Sequence, residues 1–320
     1  MKGAESEACS MFLQFAMALF LRSKIYIVLN LPSVLVIGGT TFDHIVCLLT
    51  LPDGTPTTIH KCHFRETTGS TGTGKAVALH MLGVPTHLIS ACGNDTWGAQ
   101  IESYLQSQQL SFDLFDDPAG TERHINLMDA NGKLISIFVT NSSENISLTE
   151  NYLQLHLDKH DVIVLNIIAY CRPWAAQVAA CGKPVWTDLH DYDGTNTYHQ
   201  TFVDAAQYIH LSSDNLTDYR AVMERFVSMG KKLVVCTHGK AGATLLSPNG
   251  GWIDVEAETV EVVDTNGAGD SFFAGFQYGW LQQEPLHTCM QYGTRAAALC
   301  VQSPFICATG LNPHMLDAIQ

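Results

Sequence analysis

Val260-Glu-Val-Val-Asp-Thr-Asn-Gly-Ala-Gly-Asp-Ser-Phe-Phe-Ala-Gly-Phe276 is the stretch on which the reading of this chain turns. An apolar run reaches Asp264, and a Gly267-Ala268-Gly269 turn follows. A helical pattern comes next, with Phe272, Phe273 and Phe276 on one face. A helix that starts on glycines suits an anion. Its first-turn N–H groups lack intrahelical acceptors, and the helix dipole adds positive potential at the same point. Asp270 falls in that first turn. A carboxylate there is a poor ligand for phosphate, but it can take a proton from a nucleophile attacking that phosphate. The plainer alternative is an Asp that caps its own helix, and for an isolated Gly-x-Gly-Asp that alternative would prevail.

The surrounding chain has 320 residues, enough for one large or two average domains and a sizeable core. Hydrophobic residues make up 46% and charged residues 15%, which excludes a disordered protein. The net charge of −14 excludes duplex nucleic acid as the expected partner, because phosphate-backbone binding runs on Lys and Arg. Ten cysteines without a C-x-x-C pair fit reduced thiols in a cytoplasmic protein, not a disulfide framework or a zinc site. The largely apolar run Met11–Leu21 is about half the roughly 20 residues of a membrane span. Residues 1–32 therefore read as an extension outside the core, with a docked amphipathic helix and, less favoured, a membrane anchor as alternatives.

From Ser33 onward, short apolar runs alternate with helical patterns. Val34–Ile37, His87–Ala91, Val162–Leu165, Pro184–Thr187, Tyr208–Leu211 and Leu233–Thr237 read as buried strands. Ala76–Leu82, Trp97–Gln106 and Leu216–Met229 read as helices. The alternation predicts an α/β fold with a mostly parallel sheet. Thr57–Glu66 and the hairpin Glu122–Thr140, turning at Asn131-Gly132, stand apart as a small β appendage.

Asp264-Thr-Asn-Gly-Ala-Gly-Asp270 resembles the D-T-x-G-A-G-D signature of the ribokinase/PfkB family of carbohydrate kinases. The resemblance runs from about Val34 to Gly310. It implies a ribokinase-like three-layer sandwich over residues 33–320, with lid strands at approximately 44–67 and 111–140. It further implies an ATP-dependent phosphotransferase acting on a hydroxyl of a sugar or nucleoside. In that reading Gly267, Ala268 and Gly269 form the anion hole and Asp270 is the base. Thr237-His-Gly239-Lys-Ala-Gly242 resembles the family's T-x-G-x-x-G loop, placing Thr237, Gly239, Gly242 and Thr265 at ATP. Gly93-x-Asp95-x-x-Gly98 resembles a structural turn of the family. Gly38-Gly-Thr-Thr-Phe-Asp43 resembles its first-strand segment, making Asp43 a substrate contact. The implied cofactors are ATP and Mg²⁺, with a monovalent cation (K⁺) near Asp264 left open. A homodimer through the lid strands is the implied assembly.

The chain departs from the family at several points. Its glycine segment is Gly69-Ser-Thr-Gly-Thr-Gly74, with Gly74 where the family has a sugar-binding Asn. Gly69, Ser70 and Gly74 are still expected at the substrate. Lys75 follows without the Ser or Thr of a P-loop and reads as a surface helix residue, with reach to a substrate phosphate or carboxylate as the lesser alternative. Asp214 stands nearest to the family's magnesium-site Glu, with an N-cap as its alternative. Asp188, at a strand end, is the second magnesium candidate, and Asp188–Asp193 otherwise reads as a solvated loop. His156 and His160 read as surface residues. These departures leave open a catalytically weak or inactive kinase-fold protein that binds a sugar or nucleoside.

Between Thr237 and Leu311 the only Lys or Arg residues are Lys240 and Arg295, against seven Asp or Glu. Nucleotide phosphates there would be held by backbone amides and Mg²⁺, not by a basic patch. Calorimetric titration is therefore expected to show ATP binding with Mg²⁺ and little binding with EDTA. Equal affinity in both conditions would contradict this charge argument.

Overall fold

The computed structural model describes residues 31–129 and 133–317. The expected extension up to residue 30 and the Asn131-Gly132 turn lie outside the described residues.

The strands are β1 (Val34–Ile37), β2 (Thr41–Leu48), β3 (His63–Gly69), β4 (Thr86–Cys92), β5 (Ser111–Asp116), β6 (Arg123–Asp129) and β7 (Leu134–Thr140). After them come β8 (Val162–Leu165), β9 (Val185–Asp188), β10 (Tyr208–Ser212), β11 (Leu233–Thr237), β12 (Ala243–Ser247) and β13 (Gly251–Val255). Nine of them form one sheet in the order β13-β12-β11-β10-β9-β8-β1-β4-β5. It is parallel from β5 to β11, and β12 and β13 close one edge antiparallel. β1, β8 and β9 are buried along their whole length. Strands covered by helices on both faces read as unbroken apolar runs, which is why these three stood out in the sequence.

The strand order turns around β1. The chain moves outward to β4 and β5 on one side, then returns beside β1 with β8 and runs out to β11 on the other. Such a switch opens a crevice at the carboxyl ends of the strands. Gly38-Gly39 follows β1 there, and Asp188, Ser212 and Thr237 are the last residues of β9, β10 and β11.

The smaller sheet has the order β3-β2-β6-β7. Two features differ from the expected lid. Ser111–Asp116 pairs with β4 at the edge of the large sheet. Residues 57–62 are not strand, and β3 begins at His63. The apolar alternation of 111–116 does not itself say which sheet edge receives it; the tertiary pairing decides that.

The helix of the glycine motif, Ala268–Leu281, buries Phe272, Phe273 and Phe276 as its spacing predicts. Trp186 of β9 is its seat, with ring centroids 5.9 Å from Phe273, 5.8 Å from Phe276 and 5.3 Å from Trp280. Its other side packs closely on the helix Leu286–Val301. A Cβ on Gly275 would lie 2.4 Å from the Tyr292 carbonyl oxygen. These contacts fix the helix start at the end of the sheet, over the crevice.

Candidate active site

A cavity of about 930 Å³ lies at the strand ends. One wall is the smaller sheet, with Asp43, His124 and Phe138. A second comes from the large sheet, with Gly39, Asp188 and Asp214. Thr265, Gly267, Gly269 and Asp270 supply a third. Ser70 also borders it. Of the sequence-derived residues, Gly69, Gly74, Ala268, Thr237, Gly239 and Gly242 do not line this cavity.

The helix start is built as its glycines suggest. Gly267 is the N-cap with φ of 76°, and a Cβ there would meet the Ile306 carbonyl oxygen at 2.1 Å. Only glycine satisfies both the backbone angle and the space. A Cβ on Gly269 would meet nothing within 4 Å, so its backbone is open to approach. The Ala268 N–H instead donates to the Thr265 carbonyl at 3.3 Å. Asp264 accepts from the Asn266 N–H at 2.8 Å and is paired with the Arg65 guanidinium of β3. The carboxylate considered for a monovalent cation therefore already has a cationic partner.

Asp270 is 7% exposed, and its partner corrects the reading of Lys75 as a surface residue. The Lys75 side chain is fully buried. Its ammonium donates to Asp270 Oδ1 at 2.5 Å, lies 2.8 Å from Asp188 Oδ2, and sits 5.2 Å from the centroid of the Phe273 ring. Burial works to deprotonate this amine, but Asp188 and Asp270 together hold its pKa above the ordinary lysine value. Asp188 is likewise buried, which by itself favours the neutral acid. His190, Lys75 and His210 outweigh that and hold it well below the usual carboxylate range. Its Oδ1 accepts the His190 backbone N–H at 2.9 Å and lies 3.2 Å from His210 Nδ1. Both oxygens are engaged by protein groups. The segment after Asp188 is not a solvated loop, because Leu189 and Tyr192 are buried in the core.

The glycine segment makes close approaches. A Cβ on Gly69 would lie 2.0 Å from Asp43 Oδ2, one on Gly72 2.5 Å from the Gly39 carbonyl, and one on Gly74 2.6 Å from Asp270 Oδ2. Gly69 and Gly74 thus lie against Asp43 and Asp270, two of the carboxylates that border the cavity. Between them Ser70 takes φ of 74°, a left-handed angle costly for a residue with a Cβ. Asp43 accepts from Thr41 Oγ1 at 2.7 Å and lies 3.6 Å from His124 Nδ1. Burial raises its pKa, against the pull of His124.

Thr237 ends β11, and Gly242 has φ of 98° with a Cβ position 2.0 Å from the Val255 carbonyl oxygen. Gly239 also has positive φ, 54°. This loop packs on the segment that enters a second cavity of about 680 Å³, lined by Asp254–Glu256, Glu258–Val260 and by His287, Gln291, Thr294 and Arg295. Arg295 is held there by Glu258 at 2.6 Å. Asp214 is exposed on the first cavity. It is not a helix cap: Asp218 caps Tyr219–Ser228 by accepting the Ala221 N–H. The turn residue Asp95 accepts the Trp97 and Gly98 amides and the Thr121 hydroxyl, in keeping with a structural role.

The sequence profile described as "pfkB family carbohydrate kinase" matches residues 31–181 and 199–309. The chain belongs to this family. It is 30% identical over 282 residues to the acarbose 7(IV)-phosphotransferase of an Actinoplanes species, covering 85% of this chain and 93% of that protein. It is 26% identical over 285 residues to a nucleoside kinase of Methanothermobacter thermautotrophicus, covering 84% and 89%. Among solved structures, a microbiome-derived acarbose kinase superposes with a TM-score of 0.78 at 24% identity, over 90% of this chain and 98% of that one. The ribokinase of Thermotoga maritima gives 0.73 at 17% identity with the same coverage. The ribokinase-like architecture is thus the fold of this pfkB-family kinase.

Two features escaped the sequence reading. Lys75 sits in Gly72-Thr-Gly-Lys-Ala-Val-Ala78, where small and apolar residues occupy every side of the helix. That composition signals a helix buried all round, so a lysine in it must be paired. His156 is also buried, correcting its assignment to the surface, and His160 is half-buried. His156 Nε2 lies 3.6 Å from Asp113 Oδ2, which also takes His87 Nε2 at 2.7 Å. The carboxylate between two imidazoles accounts for that cluster.

Removing the ammonium would leave Asp188 and Asp270 buried without it. Lys75→Met is expected to lower the unfolding free energy by about 3–5 kcal/mol, the scale for breaking a buried pair. Denaturant titration reads this directly, and a change below about 1 kcal/mol, the scale of an exposed pair, would contradict the buried pairing.

Proposed function

We propose that this protein transfers the γ-phosphoryl group of ATP to a hydroxyl of a sugar or nucleoside, with Asp270 as base and the Gly267–Gly269 turn as anion hole. The observation that carries this reading is one of placement. The Asp270 carboxylate borders the same cavity as Gly267, Gly269 and Asp43. Asp43 and Ser70 would contact the acceptor beneath the smaller sheet. ATP would approach from the side of Thr265 and the Thr237–Gly242 loop, its base end toward the second cavity. The acceptor oxygen forms its bond to the γ-phosphorus as the bond to the β,γ-bridging oxygen breaks. ADP leaves with that electron pair, and the hydroxyl proton passes to Asp270.

Backbone N–H groups at the helix start would stabilise the charge on the transferring oxygens, each worth roughly 3 kcal/mol in comparable sites. Ala268 contributes least, since its amide is directed to Thr265. For Mg²⁺ the fit is through Asp214, an exposed carboxylate of the oxygen-donor type this ion takes. Asp188, the other candidate, spends both oxygens on protein groups and would act on the site through Lys75. Bound Mg²⁺ supplies charge neutralisation at the phosphates.

The cavity stands near the top of the roughly 300–1,000 Å³ range of small-molecule sites. That leaves room for an acceptor larger than one sugar ring, in keeping with relatives that act on acarbose or nucleosides. Nothing in the comparisons supports the alternative of an inactive binding protein. A cytoplasmic location fits the nine free cysteines among the described residues. The described residues include no helix long and apolar enough to cross a membrane.

A homodimer through the smaller sheet is part of the same reading. β7 is an edge strand with Leu134, Ile135, Ile137, Phe138 and Val139 each 39–57% exposed. Such an edge invites another strand unless it is covered.

The function is tested by acceptor-dependent ADP formation across pentoses, hexoses, nucleosides and acarbose. Asp270→Asn is expected to keep MgATP affinity within a few-fold and to lower turnover about 10²-fold or more. Unchanged turnover would remove Asp270 as the base. Sedimentation equilibrium should give twice the chain mass, and Ile137→Lys should give the chain mass. A monomeric wild type at micromolar concentration would refute the lid dimer.

A further inference from the structure

Lys75 is fully buried and paired with Asp270 and Asp188, two carboxylates that border the cavity. A buried ammonium must be paired, and Asp188 alone, 2.8 Å away, would neutralise it. Its second partner is the base itself, reached from 195 residues away along the chain. The two oxygens of Asp270 therefore have different surroundings. Oδ1 accepts from Lys75 at 2.5 Å, while Oδ2 lies over Gly74, where a Cβ would come within 2.6 Å.

We propose that Lys75 is a positioning residue for phosphoryl transfer: it holds Asp270 Oδ1 so that Oδ2 receives the acceptor proton, and Gly74 is the space that this orientation requires. The inference rests on the reading of Asp270 as the base. A carboxylate is planar, so fixing one oxygen fixes the direction of the other. Asp188 shares the charge of the ammonium. Lys75 thus orients Asp270 without carrying a full uncompensated charge beside it. Gly74 and Lys75 then form one device, and the absence of a side chain at position 74 is a requirement of the base and not a lost sugar contact.

The test compares wild type, Gly74→Ala, Lys75→Gln and Asp270→Asn. Kinetics use MgATP with whichever of ribose, inosine and acarbose releases ADP fastest, and each variant's thermal midpoint is measured. Alanine suits a helix interior better than glycine, but its Cβ must press on Asp270, so Gly74→Ala should lower the midpoint no further than Lys75→Gln does. It should displace Asp270, lowering kcat about tenfold to hundredfold with both KM values within about threefold. Lys75→Gln should lower kcat in the same way, with a lower midpoint. A Gly74→Ala enzyme with kcat within about twofold of wild type would overturn the proposal, given the misplacement cost expected. So would a raised acceptor KM at unchanged kcat, which would make position 74 a substrate contact. If Asp270→Asn is inactive while Gly74→Ala is fully active, the positioning role alone falls. If Asp270→Asn keeps wild-type turnover, or no acceptor is used, the underlying reading falls first.

Discussion

The buried ammonium of Lys75 is the constraint on which the rest of the site depends. It joins three segments far apart in the chain: the helix Thr71–Met81, the end of β9 through Asp188, and the start of the motif helix through Asp270. Burying an ammonium costs several kcal/mol, which its two carboxylates offset only if their geometry is good. Helix, strand end and motif must therefore meet in one arrangement. Trp186 of β9 adds the apolar half of the same junction by packing on Phe273, Phe276 and Trp280.

Small residues make that meeting possible. Gly72 lets the helix start close on the Gly38-Gly39 turn, Gly69 makes room for Asp43, and Gly74 makes room for Asp270. The segment therefore works mainly by what it lacks. Gly69 and Gly74 lie against Asp43 and Asp270 and do not themselves line the cavity. The smaller sheet carries its own cation to the motif, as Arg65 of β3 pairs with Asp264. The segment Thr237–Leu311 is itself poor in cations. In three dimensions the two motif carboxylates draw their cations from the first quarter of the chain.

Much of the fold was legible because its physics is local. β1 and β8 are legible to the residue, since fully buried parallel strands appear as short unbroken apolar runs, and β11 is legible from its buried stretch Leu233–Cys236. The motif helix was legible from its glycine start and its phenylalanine face. Other features depend on partners distant in sequence. Ser111–Asp116 joins the large sheet because β4 offers it an edge, which its own residues do not encode. Lys75 looked exposed because neither Asp188 nor Asp270 is near it in the chain. The same holds for His156, whose partner Asp113 lies on another element. Spacing finds groups that act within one element, whereas a site assembled from three is found only by folding them together.

The central claim is that Asp270 and the glycine turn transfer phosphoryl from ATP to an acceptor hydroxyl. ³¹P NMR of a reaction containing MgATP, an acceptor and the wild-type enzyme tests it most directly. The account predicts a phosphomonoester resonance that grows one-for-one with ADP. Inorganic phosphate growing with ADP, and no phosphoester, would show transfer to water and contradict the account.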